Sequence, residues 1–233
     1  MKRAIILAGG KGTRLRPYTT VLPKPLMPIG DFPIIEVVIR QLRKSGFKDI
    51  TIAVNHQAEI ICAYFGDGRK FGLNISYSHE SEPLGTMGPL KLIQNLPENF
   101  LVMNGDILTD LNFEAFYDDH SSSGSVFTIS SYERTEQVDY GVLEVDNSSN
   151  LLRFTEKPRN KYLVSMGIYM LNRKLIDNFP PHSYGFDNLM HDLIAKEERV
   201  RVKIHNGYWL DIGRPDDYMR AIEEFDSMKD VFI

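Results

Sequence analysis

Gly9, Gly10 and Gly12 stand directly behind the apolar run Arg3 to Ala8 (RAIILA), and Thr13, Arg14 and then Lys24, set between Pro23 and Pro25, follow them. Residues without side chains let backbone N–H groups approach phosphate oxygens closely, because a Cβ would hold the ligand off. Three donors of different reach, Thr13, Arg14 and Lys24, then serve one polyanion. The chemistry indicated is a grip on a polyanion, against a strand-to-helix turn with a solvated arginine and lysine, the reading a bare Gly-x-Gly would receive. Two other glycine motifs are excluded. The dinucleotide fingerprint needs a third glycine where Leu15 stands, and the P-loop needs Gly-Lys-Ser/Thr after four spacer residues.

Further polar residues stand at the ends of strand-like runs. Asp106 closes Phe100 to Met103 in Asn104-Gly105-Asp106, and Asp211 lies in Trp209-Leu210-Asp211-Ile212-Gly213. Taken singly, each aspartate reads as a turn or capping residue. Glu156-Lys157-Pro158 reads alone as a solvated charge pair stopped by proline, and Gly141 in Tyr140-Gly141-Val142 as a strand-start glycine.

The whole segment GGxGTRL-x-P followed by PKPL closely resembles the signature of the sugar-1-phosphate nucleotidyltransferase family, and the resemblance runs from Lys2 to about Phe225. It implies that Arg14 contacts the departing pyrophosphate and that Lys24 contacts the triphosphate. Asp106 and Asp211, the latter in a segment similar to the family's W-x-D-x-G, become ligands of a magnesium ion, which prefers carboxylate oxygen and keeps waters while bridging to phosphate. By the same resemblance Glu156 accepts hydrogen bonds from sugar hydroxyls, Lys157 binds the sugar phosphate, and Gly141 lets the sugar approach the backbone. Ser165-Met166-Gly167 stands where many relatives have Asn-Ala-Gly, a departure that leaves the sugar unnamed.

The stretch from His79 to Thr86 (HESEPLGT) resembles the family's base-reading segment. An ionised carboxylate is acceptor-only, whereas guanine presents N1–H and N2–H₂ side by side, so Glu80 favours guanine over the pyrimidines that a glutamine would serve. The pattern is closest to mannose-1-phosphate guanylyltransferases. The expected catalytic residues are thus Arg14, Lys24, Asp106 and Lys157. Leu7, Ala8, Gly9, Gly10, Gly12, Thr13, Arg14, Lys24, Glu80, Pro83, Gly85, Thr86 and Asp106 form the expected nucleotide site. Gly105, Tyr140, Gly141, Glu156, Lys157, Ser165, Gly167 and Trp209 form the expected sugar-phosphate site. The expected reaction joins an NTP, GTP by preference, to a sugar 1-phosphate, mannose 1-phosphate or a related hexose or heptose. The competing readings are a UTP- or dTTP-dependent glucose-1-phosphate enzyme and a non-catalytic nucleotide-sugar-binding subunit. A glycosyltransferase would bring Asp-x-Asp, which Asp106-Ile107-Leu108 lacks.

These residues need a frame. The run from Arg3 to Ala8 predicts a buried strand that feeds the glycine turn, Pro33 to Gly46 a helix ended by its glycine, Asp49 to Val54 a second strand, and Glu59 to Phe65 a short helix. Asn74 to Ser78 resumes extended structure, Met87 to Leu96 has helical spacing, and Phe100 to Met103 is again a strand. Beyond Ser121-Ser122-Ser123-Gly124 come strand-like runs at 125–132, 141–145, 151–156 and 164–171, the middle pair a hairpin across 147–150. Helices near 189–197 and at 215–225 bracket strands near 200–205 and 207–210. The expected fold is α/β: a single Rossmann-like domain over 1–233 with a mixed, mostly parallel central sheet flanked by helices, as in GT-A-like nucleotidyltransferases. Residues 1–120 form the nucleotide half and 121–233 the sugar-phosphate half. Ligands of such sheets bind at the carboxyl ends of strands, where strand order reverses.

Bulk properties narrow the partners. A net charge of −4 over 233 residues excludes a broad nucleic-acid footprint. The single cysteine, Cys62, excludes an internal disulfide and a cysteine-based zinc site. No apolar run is long enough to span a bilayer and no basic leader precedes the first strand, so the expectation is a cytoplasmic protein with small-molecule partners and no membrane partner. Assembly into a homo-oligomer is left open.

Overall fold

The structure, a computed structural model, describes residues 2–233. Its elements in chain order are β1 (Arg3–Leu7), β2 (Pro28–Ile29), β3 (Phe32–Pro33), α1 (Ile34–Lys44), β4 (Asp49–Val54), α2 (Ala58–Phe65), β5 (Asn74–His79), β6 (Asn99–Asn104), β7 (Ile107–Thr109) and α3 (Phe113–Ser123). There follow β8 (Phe127–Gln137), β9 (Val142–Val145), β10 (Leu151–Thr155), β11 (Arg159–Asn172), α4 (Phe186–Ala195), β12 (Val200–His205), β13 (Trp209–Asp211) and α5 (Pro215–Phe232).

A seven-stranded sheet in the order β12-β8-β11-β6-β1-β4-β5 carries the molecule. All its pairings are parallel except those of β11, which runs antiparallel to both β6 and β8. The expected mixed, mostly parallel sheet with flanking helices is therefore the observed one. β1 lies between β4 and β6, so the chain leaves β1 in one direction and returns to its other side through β6. Strand order reverses there, and the carboxyl ends of β1 and β6 open a crevice between them.

Alternation along the strands sorts the core onto two faces. Ala4 and Ile6 of β1 pack with Val38, Ile39 and Leu42, which recur at helical spacing on α1. Ile5 and Val102 face the other way, onto Leu175, Leu189 and Leu193. A third cluster joins α5, through Ala221 and Phe225, to Leu108, Leu210 and Leu15. That cluster seats the β7–β13 pair and the glycine turn on one support.

One expectation is corrected, and one element appears that none foresaw. The stretch 87–96 is a short 3-10 segment at Gly88–Leu92 and not a longer helix: Gly88 and Pro89 are poor helix formers, and the N–H groups of Met87 and Gly88 both donate to the Tyr184 carbonyl. Residues 113–123, whose serine-rich end reads as a boundary, form α3, capped by the Asn112 side chain accepting from the Ala115 N–H and closed by Gly124 at φ +67°. The predicted hairpin exists, with β9 and β10 antiparallel, but it forms its own two-stranded sheet at the end of an exposed arm built by the outer halves of β8 and β11.

Candidate active site

At the carboxyl ends of β1 and β6 lies a cavity of about 570 Å³. All thirteen residues expected at the nucleotide site line it: Leu7, Ala8, Gly9, Gly10, Gly12, Thr13, Arg14, Lys24, Glu80, Pro83, Gly85, Thr86 and Asp106. Gly105, expected on the sugar-phosphate side, lines it as well.

The glycine turn is fixed where its conformation requires it. Gly12 has φ +60°, and a Cβ there would lie 2.9 Å from Thr19 Cγ2 and 3.2 Å from Lys24 Cβ. The Thr19 hydroxyl donates to the Gly12 carbonyl at 2.7 Å, closing the turn from below. A Cβ on Gly10 meets nothing within 4 Å, so this residue borders open space where a ligand can come close to the backbone.

The far wall carries the charges. The Lys24 ammonium, on a side chain only 10% exposed, donates to Asp106 Oδ2. The Gly105 N–H donates to the Leu7 carbonyl and the Ile212 N–H to that of Asp106, which ties the ends of β1 and β6 to the Trp209–Gly213 segment. β13 pairs with β7 so that Asp211 faces Ile107, one residue beyond Asp106. Burial first, and then the charge of Asp106, push the Asp211 carboxyl above the ordinary aspartate range, while Lys24 and Arg14 pull it back. A Cβ on Gly213 would stand 3.3 Å from Asp211 Oδ2 and 3.5 Å from Arg14 Nη1, so guanidinium and carboxylate flank the same glycine.

Asp106 Oδ1 is buried and has no hydrogen-bond partner, an expensive state for a carboxylate oxygen unless a cation completes it. Among the described residues no group of three or more His, Cys, Asp or Glu side chains gathers to cage a metal. Two neighbouring carboxylates with the remaining positions open to water and phosphate oxygens suit magnesium, which is seldom held by an all-protein cage.

Glu80 occupies the opposite wall. Its Oε2 accepts the Leu84 N–H at 3.1 Å, and its Oε1 lies 3.0 Å from where a Gly9 Cβ would be. Burial raises its carboxyl above the usual glutamate range, although the Leu84 hydrogen bond opposes this. The loop that bears it is strapped to the 184–186 segment. Tyr184 N–H donates to the Leu84 carbonyl, Phe186 N–H donates to the Thr86 hydroxyl, and a Cβ on Gly85 (φ +79°) would stand 2.7 Å from the Tyr184 carbonyl oxygen.

The remaining sugar-phosphate residues fall into two groups outside the cavity wall. Tyr140, Gly141, Glu156 and Lys157 sit together on the exposed arm: a Gly141 Cβ would meet the Phe154 ring at 2.5 Å and Glu156 Oε2 at 3.2 Å, and Lys157 adopts φ +43° at the turn after β10. Ser165, Gly167 and Trp209 gather at the root of β11. There the Ser165 hydroxyl bonds the Tyr169 hydroxyl and accepts the Gly167 N–H, and Trp209 Nε1–H donates to the Met166 carbonyl. A Cβ on Gly167 would stand 2.6 Å from Asn104 Nδ2, and Asn104 lines the cavity, so this group adjoins it. Lys11, Asn55, Asn104 and Gly213 also line the cavity and are not among the residues expected from sequence. Asn55, just after β4, and Asn104, at the end of β6, lie at the same edge as the glycine turn, and only their place at a strand end marks them in the sequence.

A family model described as nucleotidyl transferase matches residues 3–227. The chain belongs to this family. Among curated members it is 34% identical over 239 residues to a protein named probable mannose-1-phosphate guanylyltransferase 1 of Oryza sativa subsp. japonica, an alignment covering 97% of this chain and 66% of that relative. The chain spans about two thirds or slightly less of the length of the curated members it matches. The crystal structure of HddC from Yersinia pseudotuberculosis complexed with GMP-PN superposes with a TM-score of 0.73 at 28% identity, covering 97% of this chain and 100% of that one. A putative glucose-1-phosphate thymidylyltransferase from Bacillus anthracis shares the fold, with a TM-score of 0.75 at 22% identity over 96% of this chain and 94% of that one. No helix among the described residues is long and apolar enough to cross a membrane.

Proposed function

We propose that this nucleotidyltransferase-family chain is a sugar-1-phosphate nucleotidyltransferase that uses GTP, with mannose 1-phosphate or a related hexose or heptose 1-phosphate as the acceptor, and releases pyrophosphate. The observation that carries the reading is the cavity itself. It joins a glycine turn open at Gly10, the cations Arg14 and Lys24, and Asp106 with its neighbour Asp211 on one side to the carboxylate of Glu80 on the other. The names of the curated relatives and the GMP-PN in the HddC crystal support the choice of guanine.

In this mechanism a phosphate oxygen of the sugar 1-phosphate attacks the α-phosphorus in line. One P–O bond forms, the bond to the β-phosphate oxygen breaks, and its electron pair leaves with pyrophosphate. A phosphate dianion is already a nucleophile, so no general base is needed. Backbone N–H groups of the glycine turn and the side chains of Arg14 and Lys24 align the triphosphate, and Lys157 and Glu156 orient the acceptor from the arm. Asp106 and Asp211 would hold a magnesium ion, which would supply neutralisation of the charge on the reacting phosphates. Residues 1–120 serve the nucleotide and 121–233 the sugar phosphate within one domain.

Glu80 selects the base by accepting two N–H donors side by side. A mismatched buried polar contact costs about 1–3 kcal/mol, so Glu80→Gln lowers the ratio of kcat/KM for GTP over UTP by roughly five- to 150-fold. An unchanged ratio contradicts the guanine assignment.

A further inference from the structure

We infer that Lys24 is an exchange partner of the divalent cation: in the metal-free protein its ammonium holds Asp106, and the cation binds well only when an incoming triphosphate draws that ammonium away. This rests on the reading that Asp106 and Asp211 hold the cation. The Lys24 side chain is nearly enclosed, so its ammonium is not a freely solvated charge that happens to touch a carboxylate. It occupies Oδ2 of Asp106 while Oδ1 is left buried and without a partner. One ligand atom is taken and the other waits.

The charge balance points the same way. Asp106, Asp211 and the nearby Asp217 contribute three negative charges, and Lys24 and Arg14, both close enough to act on Asp211, contribute two positive ones. Lys24 and Arg14 offset most of the carboxylate charge, so a bare divalent cation entering the group meets two cations and one occupied carboxylate oxygen. A cation that arrives with a triphosphate brings the anions that give Lys24 and Arg14 new partners. The backbone allows the move. Lys24 opens the 3-10 turn Lys24–Leu26 behind Pro23, and its Cβ lies 3.2 Å from where a Gly12 Cβ would stand, so the side chain that reaches Asp106 starts beside the glycine turn.

The test is a titration of the nucleotide-free protein with Mn²⁺, followed by electron paramagnetic resonance of the free ion. Lys24→Gln removes the competing charge and is expected to bind Mn²⁺ about tenfold or more tightly than the parent protein, since a unit charge a few ångströms away is worth at least that factor near a protein surface. Lys24→Arg keeps the charge and stays within a few-fold of the parent. Adding Asp106→Asn to Lys24→Gln abolishes the gain. Should Lys24→Gln melt early, Lys24→Met preserves the packing of the stem and carries the same expectation. Equal affinity in the parent and the neutral variants, or a gain in Lys24→Arg as large as in Lys24→Gln, overturns the exchange. The titration needs no turnover, so a protein that exchanges but does not release pyrophosphate loses only the proposed reaction, and the reverse pattern loses only the exchange.

Discussion

The Lys24 ammonium donates to the carboxylate of Asp106 from 82 residues away in the chain, and the pair closes one wall of the cavity at the ends of β1 and β6. Asp106 therefore has two tasks, neutralising a buried lysine and presenting its second oxygen to a cation. Asp106→Asn is expected to lower kcat for pyrophosphate release by at least about a hundredfold, the scale of losing a preorganised charge at a reacting phosphate. It is also expected to lower Tm, because Lys24 loses its charged partner. Steady-state rates with a thermal melt check both, and near-parent turnover contradicts the assignment.

Two glycines of neighbouring loops are expected to answer oppositely to the same change. Gly10→Ala points a methyl into open space and leaves Tm near that of the parent, but it holds the triphosphate off the backbone and raises KM for the nucleotide. Gly85→Ala forces a Cβ against the Tyr184 carbonyl at φ +79° and costs about 1–3 kcal/mol of stability. Urea denaturation and nucleotide titration of both variants separate the two effects.

Lys157 stands on the arm beyond the cavity wall. Lys157→Ala is expected to raise KM for the sugar 1-phosphate by roughly tenfold or more, as for the loss of one charged phosphate contact, with KM for the nucleotide unchanged. A rise in the nucleotide KM instead would move Lys157 to the other substrate.

His120 makes the fold acid-sensitive. It is 1% exposed, its Nδ1 bonds the Thr128 hydroxyl and its Nε2 has no partner. Burial, reinforced by Arg201 and opposed by Asp119, lowers its pKa from 6.5 to about 4. The unfolded chain therefore binds a proton that the folded chain refuses. The contribution is complete above pH ~6.5 and is lost as pH falls toward ~4, up to roughly 3 kcal/mol in all. Urea denaturation between pH 7 and 4.5 is expected to show this slope in the parent protein and a shallower one in His120→Asn.

What could be read from sequence was what the chain writes contiguously. The run from Arg3 to Lys24 carries its own strand, turn and cations, and every residue expected at the nucleotide site lines one cavity. Asn55 and Asn104 escaped because a lone asparagine after a strand has no chemical signature until β4, β1 and β6 are side by side. α3 was hidden by its weakly amphipathic, serine-ended sequence, and the 3-10 form of Gly88–Leu92 is imposed by Tyr184, a residue far along the chain. The arm was legible as strands and a hairpin. Its projection away from the sheet depends on how long β8 and β11 stay paired, from Ser131↔Ser165 out to Gln137↔Arg159, which periodicity alone does not show.

The most direct measurement of the central claim is pyrophosphate release with each of four nucleoside triphosphates against a panel of mannose, glucose and heptose 1-phosphates in the presence of Mg²⁺. Release that requires both substrates and the metal, fastest with GTP, is the predicted result. No release above the no-enzyme rate with any pair contradicts the account.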